Sequence, residues 1–298
     1  MGERSLIAFT LLVQAGSGAL VGLLGIQLLG GPDVLGFASF LAVGTILLLA
    51  IGTSLLHLGA PRHAFHAAAN WRTSWLSREI LGLAGLGILV GLGAALALFA
   101  PDAAQTAGPR TIVALLAAAV ATALVAGMAW VYAIRTIPEW RLAATGASFA
   151  GAAMVLGSVV AAVLAVAETI PDRHVGWLPT CWLAGLLTAG LVLERAARRS
   201  RGAAGSSRAG GLLVRSGAVR PGDQPMTRLA AGAAMGLVAM ALLGAGVAPP
   251  AGGLLIVAVV TLASAEVVIR EQFYARAPRQ GRAASRRPRP ADGQPHRA

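Results

Sequence analysis

The stretch LSREILGLAGLGILVGLGAALALFA, from Leu76 to Ala100, decides the fold. Beyond Arg78 and Glu79 it carries no charge, and as a helix rising about 1.5 Å per residue it is long enough to cross roughly 30 Å of hydrocarbon. Seven further runs of this kind follow or precede it: Ser5–Leu29, Val34–Leu56, Thr111–Ile134, Thr145–Ala167, Leu178–Glu194, Arg228–Ala248 and Ala251–Ile269. The reading is an all-α membrane protein, a bundle of eight transmembrane helices with short hairpin loops, over residues 1–274. A disordered Arg/Pro-rich tail follows at 275–298.

Composition agrees. Of 298 residues 56% are hydrophobic and 12% charged, with a mean hydropathy of +0.73, which excludes a water-soluble enzyme. The first run is longer than a signal-peptide core and leads directly into the second, so it reads as a retained span. Gly30 to Asp33, Ala100 to Asp102 and Pro249-Pro250 are turn signals, making hairpins of spans one and two, three and four, and seven and eight. Gly18-x-x-x-Gly22, Gly87-x-x-x-Gly91 and Gly232-x-x-x-Gly236 read as ordinary close packing of helices in lipid.

The formal charge of +12 comes from 24 basic residues, all of them arginine. All but Arg110 and Arg173 fall on the face that carries both chain ends, which the positive-inside rule makes cytoplasmic. Positive charge gathered between spans sets topology, so nucleic-acid binding is set aside. The flexible Arg/Gly/Ser-rich loop at 195–227 and the tail serve as topology signals, or as a docking surface for an acidic partner. The single Cys181 cannot hold an iron–sulfur cluster, and no histidine stands in mid-span to ligate a haem.

Chemistry concentrates between spans two and three, in SLLHLGAPRHAFHAAANWRTSWLSREI, Ser54 to Ile80, which holds three of the five histidines. His57 closes span two and Glu79 opens span three, so hairpin geometry sets them at similar depth on one membrane face. Axes about 8–10 Å apart leave room between them for a planar ligand with polar ends. An ionisable group at that depth is functional by default: hydrocarbon opposes its charge, while Arg78 and the positive end of helix three favour it. The alternatives are a Glu79 carboxylate paired with Arg78 or held by backbone amides, and a His57 bonded to backbone. His63 and His66, three residues apart after Pro61, lack a third metal ligand. Glu266 is the other deep acid, and Arg270 one turn on is placed to pair with it.

Here the sequence resembles a known family. Leu55-Leu56-His57-Leu58-Gly59-Ala60-Pro61-Arg62-His63-Ala64-Phe65, followed by Trp75-Leu76-Ser77-Arg78-Glu79-Ile80, resembles the membrane anchor subunit of dimethyl sulfoxide reductase. Ile7 to Thr10 with Gln14, Val131-Tyr132 with Thr136-Ile137-Pro138 and Trp140, and Glu266 to Arg270 with Phe273-Tyr274 are similar to that family's pattern as well, whereas Arg135 departs from it. The resemblance implies an eight-helix anchor in the bacterial plasma (inner) membrane that serves anaerobic respiration. It carries no haem, iron–sulfur cluster or molybdopterin of its own. It oxidises menaquinol and passes electrons to an iron–sulfur subunit and then a molybdopterin catalytic subunit. The family's quinol-site histidine and glutamate match His57 and Glu79, which would take the two protons. Proximity adds Arg62, Trp71 and Arg78 to the binding set, with Arg72 placed to meet negative charge or a partner and Trp75 to line the ring. A purely structural redox anchor and a proton-coupled small-solute transporter are the competing readings. A catalytic partner exported across the membrane would require the His57–Glu79 loop to face outward, against the arginine count.

Overall fold

The computed structural model describes residues 2–57, 70–99, 103–133, 140–168, 175–206 and 224–275. Among the described residues eight helices follow in order: α1 (Gly2–Leu28), α2 (Phe37–His57), α3 (Trp75–Phe99), α4 (Ala103–Tyr132), α5 (Leu142–Glu168), α6 (Trp177–Ser206), α7 (Gln224–Gly244) and α8 (Ala248–Ala275). Each contains an apolar stretch of membrane-spanning length, and the described residues include no strand. The expected hairpins form, with α1 packed on α2, α3 on α4 and α7 on α8.

The bundle is organised about α1 and α5, whose apolar stretches are 72% and 67% buried, against 28% for α2 and 22% for α3 at the rim. Small residues allow the central contact. A Cβ at Gly18 would run into the Ala153 carbonyl, and one at Gly157 into the backbone of Gly18, so here the two helix backbones touch. Gly232 likewise lies under Leu262. Gly87 and Gly91 behave differently: a Cβ at either meets nothing within 4 Å, so that motif does not pack a helix of this chain.

Helix ends follow local rules. Gly30 (φ 75°) ends α1 and Gly246 (φ 81°) ends α7, with Gly31 N donating to Ile26 O at 3.0 Å and Val247 N to Leu242 O at 2.8 Å. These 6→1 bonds need a left-handed residue before the donor, which glycine adopts without a Cβ clash. Pro249-Pro250 therefore does not end α7; it lies in the first turn of α8, where missing N–H groups cost nothing.

Call the side carrying Gly2 and Ala275 the near face. On the far face the charges close structural bonds. Arg110 Nη2 meets Asp33 Oδ2 at 2.7 Å and its Nη1 donates to Leu35 O at 3.1 Å, tying α4 to the α1–α2 link. Ser39 N donates to Glu168 Oε1 at 2.7 Å, so an α5 carboxylate caps the start of α2.

Two helices overrun their expected ends on the near face. The loop expected from residue 195 begins as helix: α6 continues to Ser206, and α8 runs beyond Ile269 to Ala275. The reason is that Ala and Arg are good helix formers and the extensions cover each other. Arg198 Nη2 donates to Gln272 Oε1 at 2.9 Å, and the Arg201 guanidinium lies 5.2 Å above the Phe273 ring. Residues 207–223 and 276–298, with the rest of the expected loop and tail, lie outside the described residues.

Candidate functional site

The approach to α3 is a tight turn. Thr73 N and Ser74 N both donate to Asn70 O, at 3.1 and 3.0 Å, and Ser74 Oγ accepts Ser77 N at 3.3 Å as the helix cap. Arg78 fastens this turn to the helix. Its Nε donates to Trp71 O and its Nη2 to Arg72 O, both at 2.9 Å, while its guanidinium sits 4.4 Å above the Trp75 ring. Trp75 stacks on Trp130 of α4, with centroids 5.2 Å apart and planes 7° apart. Arg72 lies 5.4 Å over Trp71, and Trp71, Arg72 and Arg78 are all exposed on the outer side of the bundle.

Glu79 faces the other way. It belongs to the buried stripe Ser77, Glu79, Leu83, Leu86 and Val90 of α3 and is 5% exposed. The structure therefore separates two adjacent residues that the sequence allowed to pair. Glu79 instead turns inward, at the end of the bundle where Tyr132 closes α4 and Tyr274 closes α8. The two tyrosines meet edge to face at 5.6 Å, and Trp140, Phe149 and Phe273 complete an aromatic box. Trp140 Nε1 donates to Phe273 O at 3.3 Å, which holds the box to the last turns of α8. His57 is the final residue of α2, on the same near face; its side chain, with Arg62, His63, His66 and Arg135, lies outside the described residues.

Sequence reasoning missed the partners of Arg270. Arg270 is fully buried, donating from Nη2 to Gln14 Oε1 at 2.8 Å and to Ser148 O at 3.4 Å, and lying 4.0 Å over Phe149. Ser148 Oγ donates to Glu194 Oε1 at 2.8 Å. The expected pairing of Arg270 with Glu266 along α8 does not form, and neither Glu266 oxygen accepts a hydrogen bond among the described residues. Gln14 and the acceptors on α5 lie across the bundle from α8 and outcompete the neighbour one turn away, a choice that helix periodicity cannot foresee. The available signal is ionisable residues recurring just inside span ends, among them Glu194 at the close of the sixth span.

An apolar cleft of about 500 Å³ opens beside the tryptophan pair, between α1, α4, α5 and α6, lined among others by Val21, Ala126, Trp130, Gly146, Met154 and Trp182. Among the described residues no three His, Cys, Asp or Glu side chains gather as a metal site.

Comparison with known proteins agrees with this architecture. Over 211 residues the chain is 31% identical to a subunit of the sulfite dehydrogenase of Allochromatium vinosum, a match spanning 65% of each chain and so just under two thirds of that relative's length. No solved structure matches. The family model described as DMSO reductase anchor subunit (DmsC) matches residues 1–275, through all eight helices, and the chain belongs to that family of membrane anchor subunits.

Proposed function

We propose that this chain is the membrane subunit of a molybdopterin oxidoreductase and exchanges electrons with a quinone pool at a near-face site between α2 and α3. The observation that carries the reading is Glu79: a carboxylate turned into an apolar bundle at the first turns of α3, level with the end of α2 where His57 stands. A quinol gives up two protons and two electrons, so its site needs proton acceptors beside an electron exit. His57 and Glu79 supply the first. An iron–sulfur partner docked on the near face supplies the second, and Trp71, Arg72 and Arg78, exposed at the start of α3, offer it a cationic aromatic surface. The cleft beside Trp130 gives an isoprenoid tail an apolar course.

The direction of flow belongs to the catalytic partner. With a reductase of the dimethyl sulfoxide type the chain oxidises menaquinol in anaerobic respiration. The similarity to a sulfite dehydrogenase subunit favours a second reading in which electrons enter the pool and the same two groups hand protons to a quinone. By the positive-inside rule the arginine distribution supports a cytoplasmic near face, in a bacterial inner membrane.

The test is quenching of a fluorescent quinoline N-oxide inhibitor on the assembled complex. Stoichiometric binding in the wild type, lost in His57→Ala and Glu79→Gln with the subunits still associated, supports the site. Absence of binding in the wild type, or normal binding in both variants, removes it and leaves a structural anchor.

A further inference from the structure

The quinol site accounts for Glu79 but not for two acids buried deeper in the same half of the bundle. Glu194 and Glu266 are both fully buried, as is Arg270 between them. A set of charges serving only as a clamp would close its hydrogen bonds, because each open one leaves a costly desolvated group. This set does not close them. Arg270 makes both of its hydrogen bonds from Nη2, while its Nε and Nη1, both oxygens of Glu266, Glu194 Oε2 and Gln14 Nε2 find no partner among the described residues. Polar atoms so disposed inside a membrane bundle call for water as the missing partner, and carboxylates bridged by water carry protons.

The set is continuous with the candidate site. Trp75 stacked on Trp130 sets the first turn of α3, with Glu79 one turn on, against the last turn of α4 and Tyr132. Tyr132 meets Tyr274 at 5.6 Å and Phe149 at 5.5 Å, Arg270, one turn beyond Glu266, lies 4.0 Å over Phe149 and bonds Ser148 O, and Ser148 Oγ donates to Glu194. The series ends where α6 and α8 leave the apolar layer. There the half-buried Arg198 bonds Gln272, and the helix extensions reach the near-face surface.

We propose that Tyr274, Glu266 and Glu194 form a buried proton relay, running between Glu79 and the near-face surface beside Arg198. The proposal rests on the quinol reading. In the oxidative direction two quinol O–H bonds break, one proton passing to His57 and one to Glu79, and the two electrons pass to an iron–sulfur acceptor on the partner subunit. The proton taken by Glu79 moves on through the tyrosine hydroxyls, each accepting one proton as it gives up another. It then forms an O–H bond on Glu266 and passes by Glu194 to water at the surface. Electrons do not enter the relay, and in the reverse direction the same groups deliver protons inward. Arg270 is a positioning residue: its bond to Ser148 O ties α8 to the serine whose Oγ donates to Glu194.

The experiment uses the full chain assembled with its partner subunits, comparing Glu266→Gln, Glu266→Asp and Tyr274→Phe. The expected result for Glu266→Gln is inhibitor binding as in the wild type, turnover lower by about tenfold or more, and a larger solvent deuterium isotope effect. Glu266→Asp should restore most of the rate, as a merely structural role would not require. If Glu266→Gln does not assemble, Tyr274→Phe decides, since it keeps the ring and removes only the hydroxyl: slow turnover with a raised isotope effect supports the relay. Turnover and isotope effect at wild-type values in assembled Glu266→Gln, or in Tyr274→Phe where Glu266→Gln fails, overturn it. A wild-type complex that binds no inhibitor removes the quinol site itself, and with it the relay's proton source.

Discussion

Arg270 Nη2 donates to Gln14 Oε1 at 2.8 Å, joining the last helix to the first across 256 residues of chain, with both residues fully buried. Gln14→Leu leaves a buried guanidinium with one fewer acceptor. Hydrogen bonds to charged groups contribute about 1.5–3 kcal/mol, so stability should fall by about that much. Thermal unfolding in detergent measures it. Gln14→Glu should recover at least part of the loss, because it keeps an acceptor opposite the guanidinium.

On the far face the bonds are structural alone. Glu168→Ala removes the carboxylate that caps α2, with an expected cost of about 1 kcal/mol. Asp33→Ala deprives the buried Arg110 of its 2.7 Å partner. Both variants should lower the melting temperature while leaving inhibitor affinity in the assembled complex as in the wild type, a separation that near-face variants will not show.

Backbone contact between α1 and α5 predicts a sharp contrast among glycines. Gly18→Leu has no room against the Ala153 carbonyl and should abolish accumulation of folded protein in the membrane. Gly87→Leu enters open space and should leave the fold intact, within about 0.5 kcal/mol of the wild type. Expression with size-exclusion chromatography in detergent distinguishes the two.

Arg78 acts on the link rather than on Glu79. Its two hydrogen bonds to the Trp71 and Arg72 carbonyls need the fork of a guanidinium, and its stacking on Trp75 needs a flat cation. Arg78→Lys should therefore behave much like Arg78→Ala. In both, limited proteolysis after Arg72 should quicken relative to the wild type. Unchanged cleavage in Arg78→Ala would show that the turn from Asn70 to Ser74 holds without it.

What the sequence determined by itself is the local part of the molecule. Apolar length and turn chemistry are properties of neighbouring residues, so eight spans, their hairpins and the placing of His57 and Glu79 at one face were legible from residue order. Even there the limit was local cooperation across helices: α6 runs on to Ser206 because Arg198 and Arg201 find Gln272 and Phe273 on α8.

Tertiary structure decided which way each polar side chain turned and what it met. Adjacent residues on a helix point about 100° apart, so the packing of α3 on α2 and α4 sent Glu79 inward and left Arg78 outside to bind the turn. The same physics sent Arg270 past Glu266 to Gln14 and gathered Tyr132 and Trp140, from the two ends of the α4–α5 connection, with Tyr274 near the end of α8. A buried charge takes the partner that the assembled bundle brings within reach, and sequence spacing names only those along its own helix.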